Sequence, residues 1–122
     1  MTKKLTMLLV EDEDALRTLV RHELESDGFV IDEAESGERA IEILGEKKFD
    51  LVILDIRMPG IDGLEVLRRI REDDATTKII MLTGVGELKI ARDSLTLGAN
   101  DFLMKPYDFK TLKNCIQRVL KE

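Results

Sequence analysis

At 122 residues, 43% hydrophobic and 36% charged, the chain suits a single globular domain able to hide roughly two thirds of its unfolded surface. A net charge of −6 argues against a surface built to bind a phosphate backbone, and no Pro-, Gly- or Ser-rich tract marks a linker or a disordered tail. The single Cys115 excludes an internal disulfide, and the stretch from Met1-Thr2-Lys3-Lys4 to Glu11 is too short for a signal peptide or a membrane span, so a reducing cytoplasm is the expected location.

From the N-terminus, Leu5 to Val10 reads as a strand, and Leu16, Leu19, Val20 and Leu24 then share one helical stripe that Asp27-Gly28 ends. Val30 to Ala34 is a second, more polar strand suited to a sheet edge, and Ser36 caps a helix with Ala40, Ile41 and Leu44 facing inward. Leu51-Val52-Ile53-Leu54-Asp55 is an unbroken apolar run that ends in a carboxylate, the pattern of a buried strand. The turn Arg57-Met58-Pro59-Gly60 follows. Asp62-Gly63-Leu64-Glu65 then has the spacing of a helix N-cap with its reciprocal Glu, and Leu64, Leu67 and Ile70 form the stripe. Lys78 to Leu82 predicts a fourth strand ended by Thr83-Gly84, followed by a helix from Glu87 to Leu97 that stops at Gly98 as a left-handed cap. Asp101 to Met104 is the fifth strand, and Asp108 caps a closing helix carrying Leu112, Cys115, Ile116, Val119 and Leu120 on one stripe. The alternation predicts an α/β fold: five parallel strands in the order 2-1-3-4-5, doubly wound with helices on both faces and flavodoxin-like.

In open α/β sheets, sites lie beyond the carboxyl ends of the strands. Four of the five strands end in a polar group there: Glu11-Asp12, Asp55, Thr83 and Lys105. The strand order sets these tips side by side, which makes them one site. Two carboxylates about 4 Å apart repel by roughly 4 kcal/mol at an effective dielectric near 20, and one lysine does not neutralise three acids. A divalent cation would, and an all-oxygen donor set favours Mg²⁺ or Mn²⁺ over zinc. With the charge balanced, Asp55 can act as a carboxylate nucleophile toward a phosphoryl group, with Thr83 and Lys105 holding its oxygens.

The motifs Leu9-Val10-Glu11-Asp12-Glu13, Leu54-Asp55-Ile56-Arg57-Met58-Pro59-Gly60 with Asp62-Gly63, Met81-Leu82-Thr83-Gly84 and Gly98-Ala99-Asn100-Asp101-Phe102-Leu103-Met104-Lys105-Pro106 together resemble the receiver domain of a bacterial two-component response regulator, over residues 1–122. The resemblance implies that Asp55 takes a phosphoryl group from a sensor histidine kinase or a phosphotransfer protein. It implies that Asp12, Asp55 and the Arg57 backbone carbonyl bind Mg²⁺ directly, and that Glu11 reaches it through water. Thr83 and Lys105 become the phosphoryl-sensing pair, Phe102 the rotating aromatic, and the bond before Pro106 cis. The face of the fourth helix, fifth strand and fifth helix is then the expected readout, meeting a downstream effector, a covalently linked output domain or a second phosphorylated copy. Neither nucleic acid nor membrane is an expected direct partner, and such a domain modifies itself without being a conventional turnover enzyme. The chain is expected to be either a stand-alone regulator acting by protein contact or the N-terminal receiver of a longer one, and the similarity of Asp55 to Gly60 to receivers joined to transcriptional activators favours the second.

Two departures from the family pattern stand out: the acidic pair is Glu-Asp in place of Asp-Asp, and Gly84 stands where Ala is more usual. Arg57 and Val85 occupy positions that tune phosphoryl lifetime. Singly, several residues have plainer readings: Asp12, Glu13 and Asp14 suit a helix start, Phe102 suits a core, Cys115 suits packing, Gly84-Val85-Gly86 suits a flexible loop, and His22 suits a solvated face. An aspartyl-nucleophile phosphatase on a similar sheet would need a second acid where Arg57 stands. A receiver-like adaptor would have lost Asp55, Thr83 or Lys105, and all three are present.

Overall fold

Every apolar run read above becomes a strand, and every amphipathic segment a helix. The computed structural model describes residues 4–122; Met1-Thr2-Lys3 lies outside the described residues. The elements are β1 (Thr6–Val10), α1 (Asp14–Ser26), β2 (Val30–Ala34), α2 (Gly37–Glu46), β3 (Leu51–Asp55), α3 (Gly63–Asp73), β4 (Lys78–Thr83), α4 (Leu88–Thr96), β5 (Asp101–Met104) and α5 (Phe109–Leu120). The strands form one parallel sheet in the order β2-β1-β3-β4-β5, as predicted, with the more polar β2 at one edge. Thr83 belongs to β4 itself, one residue beyond the predicted end.

Side chains alternate across each strand, so the central strands build two cores. Leu8, Val10, Val52, Leu54, Ile79 and Met81 face the layer of α2 and α3, with Ile90 of α4 packed alongside. Met7, Leu9, Leu51, Ile53, Ile80 and Leu82 face α1 and α5. At roughly 25 cal/mol per Å² of apolar surface, filling both faces of β1, β3 and β4 is the dominant favourable contribution to folding. All five residues of β3 are buried, including its terminal acid.

Three helices begin on the predicted caps: Ser36 accepts from the Arg39 N–H, Asp62 from Glu65 and Asp108 from Thr111. The reciprocal half of the predicted box at α3 differs, because the Glu65 carboxylate turns to Arg68 and Arg69. On α1, Leu19 departs from the predicted stripe and is 55% exposed, while Leu16, Val20 and Leu24 pack on the sheet. Leu16, Val20 and Leu24 step by four residues on one side of the helix, and Leu19 lies at the rim of that arc. On α2, Ile43 is the more deeply buried neighbour of Ile41 and Leu44, and on α3 Val66 joins Leu67 at the centre of the contact.

The β3–α3 connection closes on itself. Gly63 N–H donates to the Ile56 carbonyl at 2.8 Å, and the Ile61 N–H donates to Glu38 on α2 at 3.1 Å. A Cβ on Gly63 would lie 2.7 Å from the Ile56 Cα and closer still to the Asp55 carbonyl oxygen. Only a glycine lets α3 start against the tip of β3. Gly63→Ala is therefore expected to destabilise the protein by about 1–3 kcal/mol, read from urea unfolding midpoints, because backbone has to move to admit one methyl group.

Candidate functional site

Register determines the site. Val10 lies opposite Leu54, Asp55 opposite Leu82 and Thr83 opposite Met104, so the four strand tips end level with one another. The Lys105 N–H donates to the Thr83 carbonyl at 2.7 Å, extending that ladder by one residue, and the Lys105–Pro106 peptide is cis. Lys105 Nζ then reaches back over the sheet and stands 3.0 Å from both Glu11 Oε1 and Asp55 Oδ2.

Both carboxyls are buried, Asp55 at 4% exposure, and they share a single cation. Burial would push each up. In Glu11 that effect is outweighed by the Lys105 hydrogen bond and by the Glu13 backbone N–H, donated at 3.2 Å, and its carboxyl falls below the usual value. In Asp55 burial prevails, reinforced by the negative charge of Glu11, and its carboxyl is pushed up to about 7. Glu11 holds the charge and Asp55 lies poised to lose its proton. Lys105, its burial outweighed by the two acids, is held above the ordinary lysine value and stays cationic.

Glu11, Asp12 and Asp55 can each offer a carboxylate oxygen, all within 4.8 Å of one another, with Asp12 exposed at the rim. The donor set is all oxygen, its charge exceeds that of Lys105, and one member faces solvent. These features fit a hard divalent cation that keeps part of its water shell. Thr83 stands beside this cluster at the end of β4, 0% exposed, its hydroxyl without a hydrogen-bond partner among the described residues. A buried unpaired hydroxyl costs about 1–3 kcal/mol, and this one is free to donate to a group placed at the strand tips. Phe102 lies half-buried on β5, packed against the core beneath α2 and α3. The Arg57 side chain is exposed and pairs with Glu87 across the mouth of the site.

A family model for the response regulator receiver domain matches residues 7–117. The chain belongs to that family. The transcriptional regulatory protein ResD of Bacillus subtilis is 44% identical over 106 residues, covering 87% of this chain and 44% of ResD. The chemotaxis protein CheY of the same organism is 36% identical over 115 residues, covering 93% of this chain and 96% of that protein. A crystal structure of a CheY-like receiver domain protein from Methanospirillum hungatei superimposes with a TM-score of 0.92 at 27% identity, over 98% of this chain and 95% of that one. The chain spans about half the length of several curated relatives it matches, ResD and a second Bacillus regulator, YkoG, among them.

Within this receiver domain, three positions escaped the sequence reading. Arg17 on α1 donates to the Glu11 carbonyl at 2.8 Å and also to Asp14 and Glu33, and so pins the loop bearing the two acids. Tyr107, two residues after Lys105, buries a hydroxyl without a partner among the described residues, and burial lifts it to about 12. Glu87, read only as a helix start, folds its carboxylate back toward the site. No periodicity marks any of the three: Arg17 and Glu87 act through hydrogen bonds that folding creates, and Tyr107 is set apart by its burial. Among the described residues, no helix is long and apolar enough to cross a membrane.

The raised Asp55 value carries a pH signature. Between pH 4 and pH 7 the folded metal-free chain binds a proton that an unfolded aspartate, near 3.8, has already released. The contribution of Asp55 to stability is therefore present below pH 4 and is lost as pH rises toward 7. Asp55→Asn removes that loss. In the absence of divalent cations the variant is expected to be on the order of 1–2 kcal/mol more stable than the parent chain at pH 8, with the difference shrinking as pH falls to 5 in thermal melts.

Proposed function

We propose that this receiver domain is a phosphoryl-accepting signalling switch in which Asp55 is the acceptor, supplied by the phosphohistidine of a sensor histidine kinase or a phosphotransfer protein. The observation that carries the reading is Asp55 itself, a buried carboxyl at the tip of an apolar strand, 3.0 Å from a lysine and beside two further acids. A packed core has no use for such a group unless it reacts or binds. An Asp55 oxygen attacks phosphorus, the bond from phosphorus to the donor imidazole nitrogen breaks, and the imidazole leaves with the electron pair. The product is an aspartyl phosphate, later released by water, so the chain is consumed and restored without acting as a conventional turnover enzyme.

Asp12, Asp55 and the Arg57 carbonyl would hold Mg²⁺, or Mn²⁺, with Glu11 acting through water. When bound, the cation supplies the positive charge that lets an anionic donor approach an acidic cluster. The protein's own contribution is positional. Lys105 is held cationic between Glu11 and Asp55 and can turn one of its protons toward a phosphoryl oxygen. Thr83 offers a hydroxyl that has no competing partner to give up. Beside Lys105, Leu16, the exposed Leu19, Val85 and Tyr107 line an open apolar groove suited to one face of a donor helix.

Reversing a two-state equilibrium from 1:99 to 99:1 takes about 5.5 kcal/mol, and one hydrogen bond to a charged group contributes roughly 1.5–3. Thr83 and Lys105 therefore move together. Phe102, packed nearby on β5, fills the space Thr83 vacates. The α4-β5-α5 face, where Leu88, Leu95 and Met104 are exposed, changes shape toward an effector, a linked output domain or a second phosphorylated copy.

Incubation with acetyl phosphate and Mg²⁺ is expected to add the mass of one phosphoryl group, and Asp55→Ala is expected to show no adduct. Beryllofluoride with Mg²⁺ is expected to shift amide NMR signals across residues 84–109; unchanged signals there would refute the switch. Thr83→Val removes the unpaired hydroxyl, so it is expected to raise the unfolding free energy by about 1 kcal/mol while abolishing most of that beryllofluoride response.

A further inference from the structure

The loop after β4 carries an anion of its own. Glu87 occupies the N-cap position of α4 but makes no side-chain cap to that helix. Its carboxylate folds back instead. Oε1 accepts the Gly84 N–H at 3.0 Å, and the other oxygen pairs with the Arg57 guanidinium on the β3–α3 loop. Although Arg57 is largely exposed, the Glu87 side chain is only 13% exposed. Its carboxyl is held below the usual value by the Arg57 hydrogen bond, by the Gly84 N–H and by the charge of Lys105, which places it within the field of the acidic site.

Gly84 makes this arrangement possible. A Cβ there would lie 2.7 Å from Glu87 Oε1, too close for the carboxylate to reach the backbone N–H. The departure noted in the sequence, Gly where Ala is more usual, thus has a physical counterpart: it clears room for an acid three residues on.

Gly84 directly follows Thr83 at the end of β4, next to the strand that delivers Asp55. Two donors are therefore available from that tip to an anion on Asp55, the Thr83 hydroxyl and the Gly84 N–H. The first is unpaired, and the second is already committed to a carboxylate. Two anions do not share one N–H without repulsion. We propose that Glu87 competes with the Asp55 phosphoryl group for the Gly84 N–H, and that this positioning residue sets how tightly the site holds its phosphoryl group. The proposal rests on the phosphoryl-acceptor reading. On phosphorylation the Gly84 N–H turns to a phosphoryl oxygen, and the Glu87 carboxylate withdraws along its ion pair with Arg57.

The test titrates beryllofluoride, at saturating Mg²⁺, into the parent chain, Glu87→Ala, Glu87→Gln and Gly84→Ala, following amide NMR shifts. Glu87→Ala is expected to bind roughly 5- to 30-fold more tightly, and Glu87→Gln less so, because its amide oxygen still accepts the N–H without a charge. Gly84→Ala displaces only the end of a flexible side chain, so it folds and tightens binding in the same direction. Combining Glu87→Ala with Gly84→Ala adds little, since both remove one contact. Affinity for Mg²⁺ alone stays within about twofold throughout, a readout that separates this role from a general loosening of the site. Unchanged or weaker beryllofluoride binding in both Glu87→Ala and Gly84→Ala overturns the role of Glu87. A parent chain that binds no beryllofluoride overturns the phosphoryl-acceptor reading and this proposal together.

Discussion

One cation stands between two buried acids. Lys105 Nζ lies 3.0 Å from Glu11 and from Asp55, and a third carboxylate, Asp12, waits at the rim. Such a cluster is short of positive charge by construction. Attraction to Lys105 outweighs burial at Glu11 and lowers its carboxyl, whereas at Asp55 burial, reinforced by the charge of Glu11, pushes the carboxyl up to about 7. A hydrophobic replacement would pack as well without any of this tension. The cluster carries a cost in stability and offers an all-oxygen donor set that fits a hard divalent cation.

The rest of the fold serves that arrangement. Two apolar faces of the sheet fix the strands in register, and register alone sets which tips are neighbours. Asn100 helps hold β5 in place, its backbone and side chain both bonded to Ile79, and Lys105 follows at the far end of that short strand. At the other side, Arg17 ties the loop after β1 to α1 and to Glu33 on β2. Glu11 and Asp12 directly follow β1, Asp55 closes β3 and Lys105 directly follows β5, so the strands deliver the charges, while Thr83, Gly84 and Glu87 lie where β4 gives way to a loop. Charges from the tips of β1, β3 and β5 and donors from the tip of β4 thus meet at the carboxyl end of the sheet.

Much of this was legible along the chain. Short uninterrupted apolar runs bounded by turn residues suit strands covered on both faces, and the amphipathic stripes between them suit covering helices, so β1, β3 and β4 with α3 and α5 were predictable from pattern. Ser36, Asp62 and Asp108 announced their helices because capping is a local hydrogen bond. The acid at the end of β3 and the lysine before Pro106 stood out because strand tips are where sites lie. Leu19 misled, since a stripe of four residues does not say which flank faces solvent. Glu65 misled as well: two arginines one turn on outbid the backbone N–H it was expected to cap.

The sequence by itself determined the parallel α/β architecture, the family motifs and the set of polar groups at the strand ends, because each depends on periodicity or short spacing. The tertiary structure alone decided how those groups share charge. That Lys105 divides itself between Glu11 and Asp55, that the Thr83 hydroxyl has no hydrogen-bond partner among the described residues, that Arg17 anchors the acidic loop and that Glu87 occupies the N–H of Gly84 are facts of distance and burial. The two Lys105 pairs join residues 94 and 50 positions apart, and electrostatic energies depend on the separation and solvent exposure that only folding assigns.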